Sequence, residues 1–254
     1  MKRSHRALAG LVLLTLLAGC SMGAQEVPTE ELTGNATYDW NRSTDVYYNV
    51  TSDRYEAIHG VSNQSHLEVY SHDALGSEVP LDITALQFRF SNGTVVTADH
   101  ANLSATKGSG RTNISLPARE GDVAYTGFRN GKEFGAPVFV EGSYAVTLPG
   151  SARVGIPLLS SVSPGGFGTA LDDGRVTVTW DSLEGGSIHL RWYLELDLLL
   201  FSVIAIVGGG LAIGGTVYYL RQIRKLRRRR ESVGIDVDQD EDDPRDRGPP
   251  PGMG

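Results

Sequence analysis

The sequence is poor in cysteine and lysine, and both shortages restrict what the protein can be. Its single cysteine, Cys20, excludes a disulfide framework within the chain. Only four of its 23 basic residues are lysine, and 30 acidic residues leave a formal net charge of -7. This composition is typical of proteins that work in concentrated salt, where a Debye length of ~3 Å at 1 M screens acidic self-repulsion. Compositional drift in a GC-rich genome is the alternative explanation.

Motifs that carry chemistry are also missing. The chain contains no Gly-x-Ser-x-Gly, His-Glu-x-x-His or P-loop. His66 and His72 lie near Asp73, but their spacing matches no familiar metal site. The acidic run that begins at Asp236 starts like an EF-hand loop, yet its twelfth position is Arg247 rather than glutamate. We therefore predict that the protein is not an enzyme and has no catalytic residues, no bound metal and no cofactor.

The N-terminal residues 1–19 predict a lipoprotein signal peptide. Three basic residues precede an apolar run over residues 7–17, which is ~16 Å long as a helix and too short for a ~30 Å hydrocarbon core. The run ends in Leu17-Ala18-Gly19-Cys20, which resembles a lipobox and predicts lipid on Cys20. An ordinary signal peptide, cut further along so that Cys20 is discarded, is the alternative.

A second apolar segment predicts one transmembrane helix over residues 194–220. Its uncharged stretch, 198–220, is ~34 Å long as a helix, enough to span with some tilt. A basic juxtamembrane segment, 221–230, follows, and the positive-inside rule places it in the cytoplasm rather than on nucleic acid. The residues that set this orientation are Arg221, Arg224, Lys225, Arg227, Arg228, Arg229 and Arg230.

Small residues within this helix predict weak homo-oligomerisation. Such residues let helix backbones approach closely, although glycine-rich membrane helices are also found as monomers. The predicted packing residues are Gly208, Gly210, Ala212, Gly214 and Thr216.

The segment between the two membrane signals is rich in acceptor sites for N-linked glycans. Every asparagine except Asn130 begins an Asn-x-Ser/Thr triplet, and all the triplets lie between the signals. This pattern predicts glycosylated surface positions in an exported domain. Together with a lipobox it favours an archaeal cell. A merely Ser/Thr-rich β protein is the alternative. The acceptors are Asn35, Asn41, Asn49, Asn63, Asn92, Asn102 and Asn113.

The exported segment alternates apolar and polar residues with a period of two. Residues 20–34 predict a tether and residues 35–193 an extracellular β-rich domain with a seam near 107–111. The fold class is therefore mainly β, with an antiparallel β-sandwich-like ectodomain, built as one or two small sandwiches, and a single C-terminal transmembrane α-helix. Asn-Gly pairs at Asn92 and Asn130 mark turns, the first within a hairpin.

The C-terminal tail, residues 231–254, is acidic and then proline-rich, a composition that predicts disorder. The C-terminal third of the chain resembles a family of uncharacterised haloarchaeal membrane lipoproteins. The resemblance rests on the stretch from Val162-Ser163-Pro164-Gly165-Gly166 to Trp192, the apolar helix, the arginine run, Gly234-Ile235-Asp236-Val237-Asp238 and the closing Pro-Pro-Pro-Gly-Met. The resemblance implies an archaeal surface location and transfers no site residues.

The sequence thus predicts a cell-membrane protein with its ectodomain outside, its C-terminus in the cytoplasm and its N-terminus anchored by lipid. We expect a non-catalytic binding or structural module of the envelope. Expected partners are membrane lipids and an envelope or cytoplasmic protein, with no nucleic acid. A signalling or assembly subunit with a docking tail is the alternative, and a hydrolase with a dispersed site is a third, less favoured one.

Overall fold

The computed structural model describes residues 24–233, which form a β-rich domain followed by one long helix. The helices are α1 (Thr29–Leu32) and α2 (Glu195–Val233). The strands are β1 (Gln25–Glu26), β2 (Val46–Val50), β3 (Arg54–Val61), β4 (His66–His72), β5 (Glu78–Pro80), β6 (Ile83–Phe90), β7 (Val95–Thr97), β8 (Ser104–Lys107), β9 (Thr112–Ser115), β10 (Gly121–Phe128), β11 (Glu133–Pro137), β12 (Gly142–Thr147), β13 (Ala152–Arg153), β14 (Ser161–Ser163), β15 (Gly168–Asp172), β16 (Arg175–Leu183), β17 (Ser187–Arg191) and β18 (Tyr193–Leu194). The predicted class, mainly β with a single C-terminal helix, is confirmed.

The largest sheet has eight strands in the order β15-β16-β12-β2-β3-β10-β6-β7. The alternation predicted for β2 is confirmed, since Val46, Tyr48 and Val50 are fully buried while the residues between them are half-buried. Its pairing with β12 is parallel, with Tyr144 opposite Val46, whereas an antiparallel fold was expected. The two strands lie far apart in the chain, so a long connection allows the parallel direction that a tight hairpin forbids.

A second sheet has five strands in the order β1-β8-β9-β4-β5, and all its pairs are antiparallel. The residues expected to form a seam, 107–111, make the turn between β8 and β9, where the Gly108 amide donates to the Arg111 carbonyl at 2.8 Å. Residues as far as Asp197 fall into one compact unit. The turn therefore joins neighbouring strands of one sheet.

The core is shared by the sheets. Phe134 of a three-stranded sheet, ordered β11-β17-β14, lies with its ring centroid 5.0 Å from that of Tyr48 and 5.2 Å from that of Tyr55. Leu67 and Ile114 of the five-stranded sheet are buried in the same cluster. Each such side chain contributes roughly 1.5–3 kcal/mol on burial, so the cluster holds the sheets together in a sandwich-like arrangement.

Two Asn-Gly pairs behave differently. The turn at Asn92 joins β6 to β7 in the predicted hairpin, with the Gly93 amide donating to the Phe90 carbonyl at 2.9 Å. The pair at Asn130 instead lies between β10 of the eight-stranded sheet and β11 of the three-stranded sheet. An Asn-Gly pair favours a tight turn, and the side-chain packing of the flanking strands decides which sheet each strand enters.

The described part of the expected tether lies against the domain. The Val27 amide donates to the Ala105 carbonyl at 2.9 Å, and the side chains of Val27 and Leu32 are buried. Further along, the Tyr38 hydroxyl donates to the Ala85 carbonyl at 2.6 Å. These contacts integrate the residues from 25 onward into the fold.

One carboxylate fixes this N-terminal segment to the eight-stranded sheet. Arg42, whose side chain is 8% exposed, donates to Asp122 and to the backbone carbonyls of Thr44 and Asp45. Arg89 donates to the other oxygen of Asp122 at 2.6 Å. Burial lowers the pKa of Arg42, and the neighbouring Asp122 charge acts against that shift. The pairing with Asp122 is thus what makes a buried guanidinium tolerable here.

Candidate functional site

Six of the seven predicted acceptor asparagines are exposed. They lie in the N-terminal segment, in three loops or turns and on β9, where a glycan has room to project. These six are Asn35, Asn41, Asn63, Asn92, Asn102 and Asn113.

Asn49 differs from the other acceptors because both ends of its amide are engaged. Its Nδ2 donates to Glu56 at 2.9 Å, and its Oδ1 accepts from Arg175 at 2.7 Å. The side chain is half-buried on a central strand of the eight-stranded sheet. A glycan on this nitrogen would displace Glu56, so the geometry favours a structural role for Asn49.

The acceptors are unevenly distributed over the two edges of the eight-stranded sheet. Strand β7, at one edge, is preceded by Asn92 and followed by Asn102. Strand β15, at the other edge, lies in the part of the chain beyond Asn113, which contains no acceptor triplet. One edge is therefore flanked by predicted glycans and the other is bare.

The bare edge is an exposed strand. All five residues of β15 are exposed, and among the described strands β15 pairs with β16 alone, through a turn in which Asp173 and Gly174 both adopt a positive φ. Leu171 is 65% exposed. Natural edge strands are usually protected by charged side chains, proline or a bulge, whereas β15 has no lysine or proline and carries one charged residue, Asp172, at its end. Its free backbone groups can therefore accept another strand.

The outer face of the five-stranded sheet carries a polar cleft of about 790 Å³. Within it, Arg111 donates to Glu68 at 2.8 Å and to Glu78 at 2.7 Å, and its guanidinium lies 4.7 Å from the Tyr70 ring centroid. The hydrogen bond from Arg111 holds the pKa of Glu78 below its usual value. Asn113 lines the same cleft, so a glycan there would occupy it.

His59 is the one histidine that the described chain buries completely. Its ring stacks on Tyr125 at a centroid distance of 5.6 Å, with Nε2 3.2 Å from the Tyr125 hydroxyl, while Nδ1 has no partner among the described residues. Burial, with a smaller contribution from the Arg42 charge, lowers the pKa of His59 to about 3. His59 is therefore neutral near pH 7 and has no access to a substrate. His59 lies on the same face of β3 as the buried residues Tyr55, Ala57 and Val61, and this period of two is the sequence signal that places its side chain inward.

The histidines considered for metal binding are placed at the surface. His66 and His72 are both exposed on β4, and so is His189 on β17. Within residues 24–233, no three His, Cys, Asp or Glu side chains come together to hold a metal ion.

The C-terminal helix α2 contains an apolar stretch, within Glu195–Arg229, that is long enough to cross a membrane. The predicted packing residues form two ridges, one of Gly210 and Gly214 and a second of Gly208, Ala212 and Thr216. A Cβ placed on Gly208, Gly210 or Gly214 would meet no neighbour within 4 Å, so both ridges are open at these glycines. On the second ridge, the Thr216 hydroxyl donates to the Ala212 carbonyl at 2.8 Å. Self-association through these ridges stays a prediction.

The predicted orientation residues belong to the end of α2, which continues to Val233. Those with described side chains, all exposed, are Arg221, Arg224, Lys225, Arg227, Arg228 and Arg229. The side chain of Arg230, the lipidation candidate Cys20 and the tail from residue 234 lie outside the described part of the chain.

A β-rich domain that passes directly into one long apolar helix is compatible with a single-pass membrane protein. The chain matches a family of unknown function, DUF5803, over residues 42–238 and belongs to that family. A comparison with curated proteins finds no similar sequence. Family membership therefore assigns no activity, and the function is argued from the residues themselves.

Proposed function

We propose that the protein is a surface-exposed, membrane-anchored lipoprotein of a haloarchaeal cell, acting as a non-catalytic binding or structural module of the envelope. One observation carries this proposal: the last strands of the domain run without a linker into α2, because β18 ends at Leu194 and the helix begins at Glu195. A helix that spans the membrane would hold the domain at the surface. The basic residues at the far end of α2 favour a cytoplasmic C-terminus.

The N-terminus is anchored by lipid at Cys20. The lipobox around the single cysteine supports this assignment. The first described strand begins five residues later, at Gln25. Glycans on the exposed acceptors shield the surface around each of them.

The bare edge strand β15 is the docking surface for an envelope protein. Its free backbone groups provide main-chain hydrogen bonds, and the exposed Leu171 provides an apolar contact to an added strand. The opposite edge, β7, is flanked by acceptors whose glycans obstruct an approaching chain. The unequal edges therefore favour partner binding at β15.

Quantitative co-purification from native membranes at high salt tests this function. Leu171→Lys places a charge on the bare edge, as natural edge strands do to prevent pairing. Val95→Lys is the matched control, since Val95 is 41% exposed on the opposite edge strand. We expect Leu171→Lys to lose at least about 90% of the co-purified partner and Val95→Lys to retain it, since each 1.4 kcal/mol of lost affinity is tenfold. Full retention by Leu171→Lys, with an unchanged thermal melt, would overturn the docking assignment.

A further inference from the structure

Strand register places three features at one end of the five-stranded sheet. Strand β1 runs antiparallel to β8, with Gln25 opposite Lys107, so the chain enters this sheet beside the turn between β8 and β9. Strand β4 runs towards that same turn, since Val69 is opposite Thr112. The turn that joins β4 to β5 therefore lies at the same end of the sheet as the turn between β8 and β9. We call this the entry end of the sheet, and define it by Ala24, turn residues 73–77 and turn residues 108–111.

The entry end lies within a short reach of Cys20. Five residue steps separate Cys20 from Gln25, which span at most ~17 Å when fully extended. Gln25 and Glu26 pair with β8, and Val27 is buried directly after them. A lipid on Cys20 therefore brings the entry end close to the membrane surface, wherever the remainder of the domain lies.

The entry end presents an apolar residue that the fold leaves uncovered. Leu75, at the tip of the β4–β5 turn, is 91% exposed. Hydrogen bonds to Asp73 define the turn, since its Oδ1 accepts from the Leu75 amide at 2.9 Å and from the Ser77 amide at 2.8 Å. Measured across the strands, the turn is offset from β1 by at most four strand spacings, or ~19 Å, and it also projects a few residues beyond the level of Gln25. A hydrogen-bonded turn thus holds a leucine side chain in water, at the end of the sheet where the chain arrives from Cys20.

We propose that the entry end of the five-stranded sheet rests on the membrane and that Leu75 inserts into the lipid interface. The proposal rests on the lipid anchor at Cys20. An exposed leucine on a fixed turn has little to contact in water, whereas the boundary between headgroups and acyl chains accepts it. The occupant of this surface is the lipid layer of the membrane that holds Cys20.

Site-directed fluorescence on the full chain in phosphatidylglycerol vesicles tests the proposal. The vesicles carry a phospholipid spin-labelled at the top of its acyl chain, which quenches nearby dyes. Leu75→Cys is labelled with an environment-sensitive dye, and Leu171→Cys, on the edge of the other large sheet, is the matched control. We expect the dye at position 75 to emit at shorter wavelength and to lose about half its intensity, and the dye at 171 to change little. Equal quenching at the two positions would overturn the proposal.

The unsubstituted protein separates failure of this proposal from failure of the anchor. A thioether-linked lipid leaves Cys20 unable to react with a maleimide, so the protein should take up no label. Labelling of Cys20, or a mature N-terminus beyond Cys20, would show that the protein has no lipid anchor at this residue. In Cys20→Ser, Leu75→Cys, the dye at position 75 should return to longer-wavelength, unquenched emission although α2 still holds the chain in the vesicle. Unchanged quenching in that variant would contradict the role given to the short N-terminal connection.

Discussion

Burial of His59 should make the stability of the domain fall steeply in mild acid. The pKa of His59 is lowered from 6.5 to about 3 because its ring is removed from water between Tyr125, Tyr48 and Phe139. Between pH 3 and pH 6.5, the unfolded chain therefore binds a proton at His59 and the folded domain does not, so the free energy of unfolding rises with pH. The contribution is complete above pH 6.5 and is lost as pH falls from 6.5 towards 3.

The size of the effect follows from linkage. With pKa values of 6.5 unfolded and about 3 folded, the free energy of unfolding should fall by roughly 2–3 kcal/mol between pH 7.5 and pH 4.5 through His59 alone. Urea unfolding of the purified protein, followed by tryptophan fluorescence at both pH values, measures this difference.

A double variant isolates the contribution of His59. Other groups also titrate in acid, and Asp45 is one, since hydrogen bonds from Ser143 lower the pKa of Asp45. His59→Phe combined with Tyr125→Phe removes the imidazole and also the hydroxyl that would otherwise be buried without a partner. We expect most of this fall in the free energy of unfolding to disappear in the double variant. The same fall in both proteins would refute the assignment to His59.

Three further outcomes follow from single contacts. Asn113→Gln should increase gel mobility through loss of a glycan, whereas Asn49→Gln should leave mobility unchanged, because the Asn49 amide is engaged on both sides. Gly127→Ala should lower the free energy of unfolding by about 2 kcal/mol in urea titrations, because its Cβ would overlap a tyrosine ring, while Gly150→Ala, with open space around it, should change little. Asp122→Asn should cost about 3–5 kcal/mol by the same measurement, since it leaves a buried guanidinium without its counter-charge.

The strands were predictable where burial follows a strict alternation. Ile188, Leu190 and Trp192 are buried on the strand segment that leads to α2, with exposed residues between them. Tyr144, Val146 and Leu148 are buried as their period of two predicts, but Ala145 and Thr147 between them are buried too. Such periodicity directly reports which face meets the core. The mainly β class and the continuity of the last strands with the apolar helix therefore followed from local pattern.

Long-range contacts were not predictable in the same way. Val27 and Leu32 are isolated apolar residues with no period, so the sequence does not show that their segment binds the five-stranded sheet. The parallel pairing of Val46 with Tyr144 and the salt bridge between Arg42 and Asp122 join distant parts of the chain. Contacts of this kind depend on the closed tertiary structure, and no local pattern encodes them.

Protease accessibility on intact cells tests the central claim most directly, namely that one domain is held outside the membrane by the helix α2. The protein carries a C-terminal epitope, and protease is added before or after the membrane is opened. We predict that external protease removes the β-rich domain and leaves an epitope-bearing fragment that contains α2 and the tail, which is digested only after opening. Loss of the epitope in intact cells, or full protection of the β-rich domain until the membrane is opened, would contradict the account.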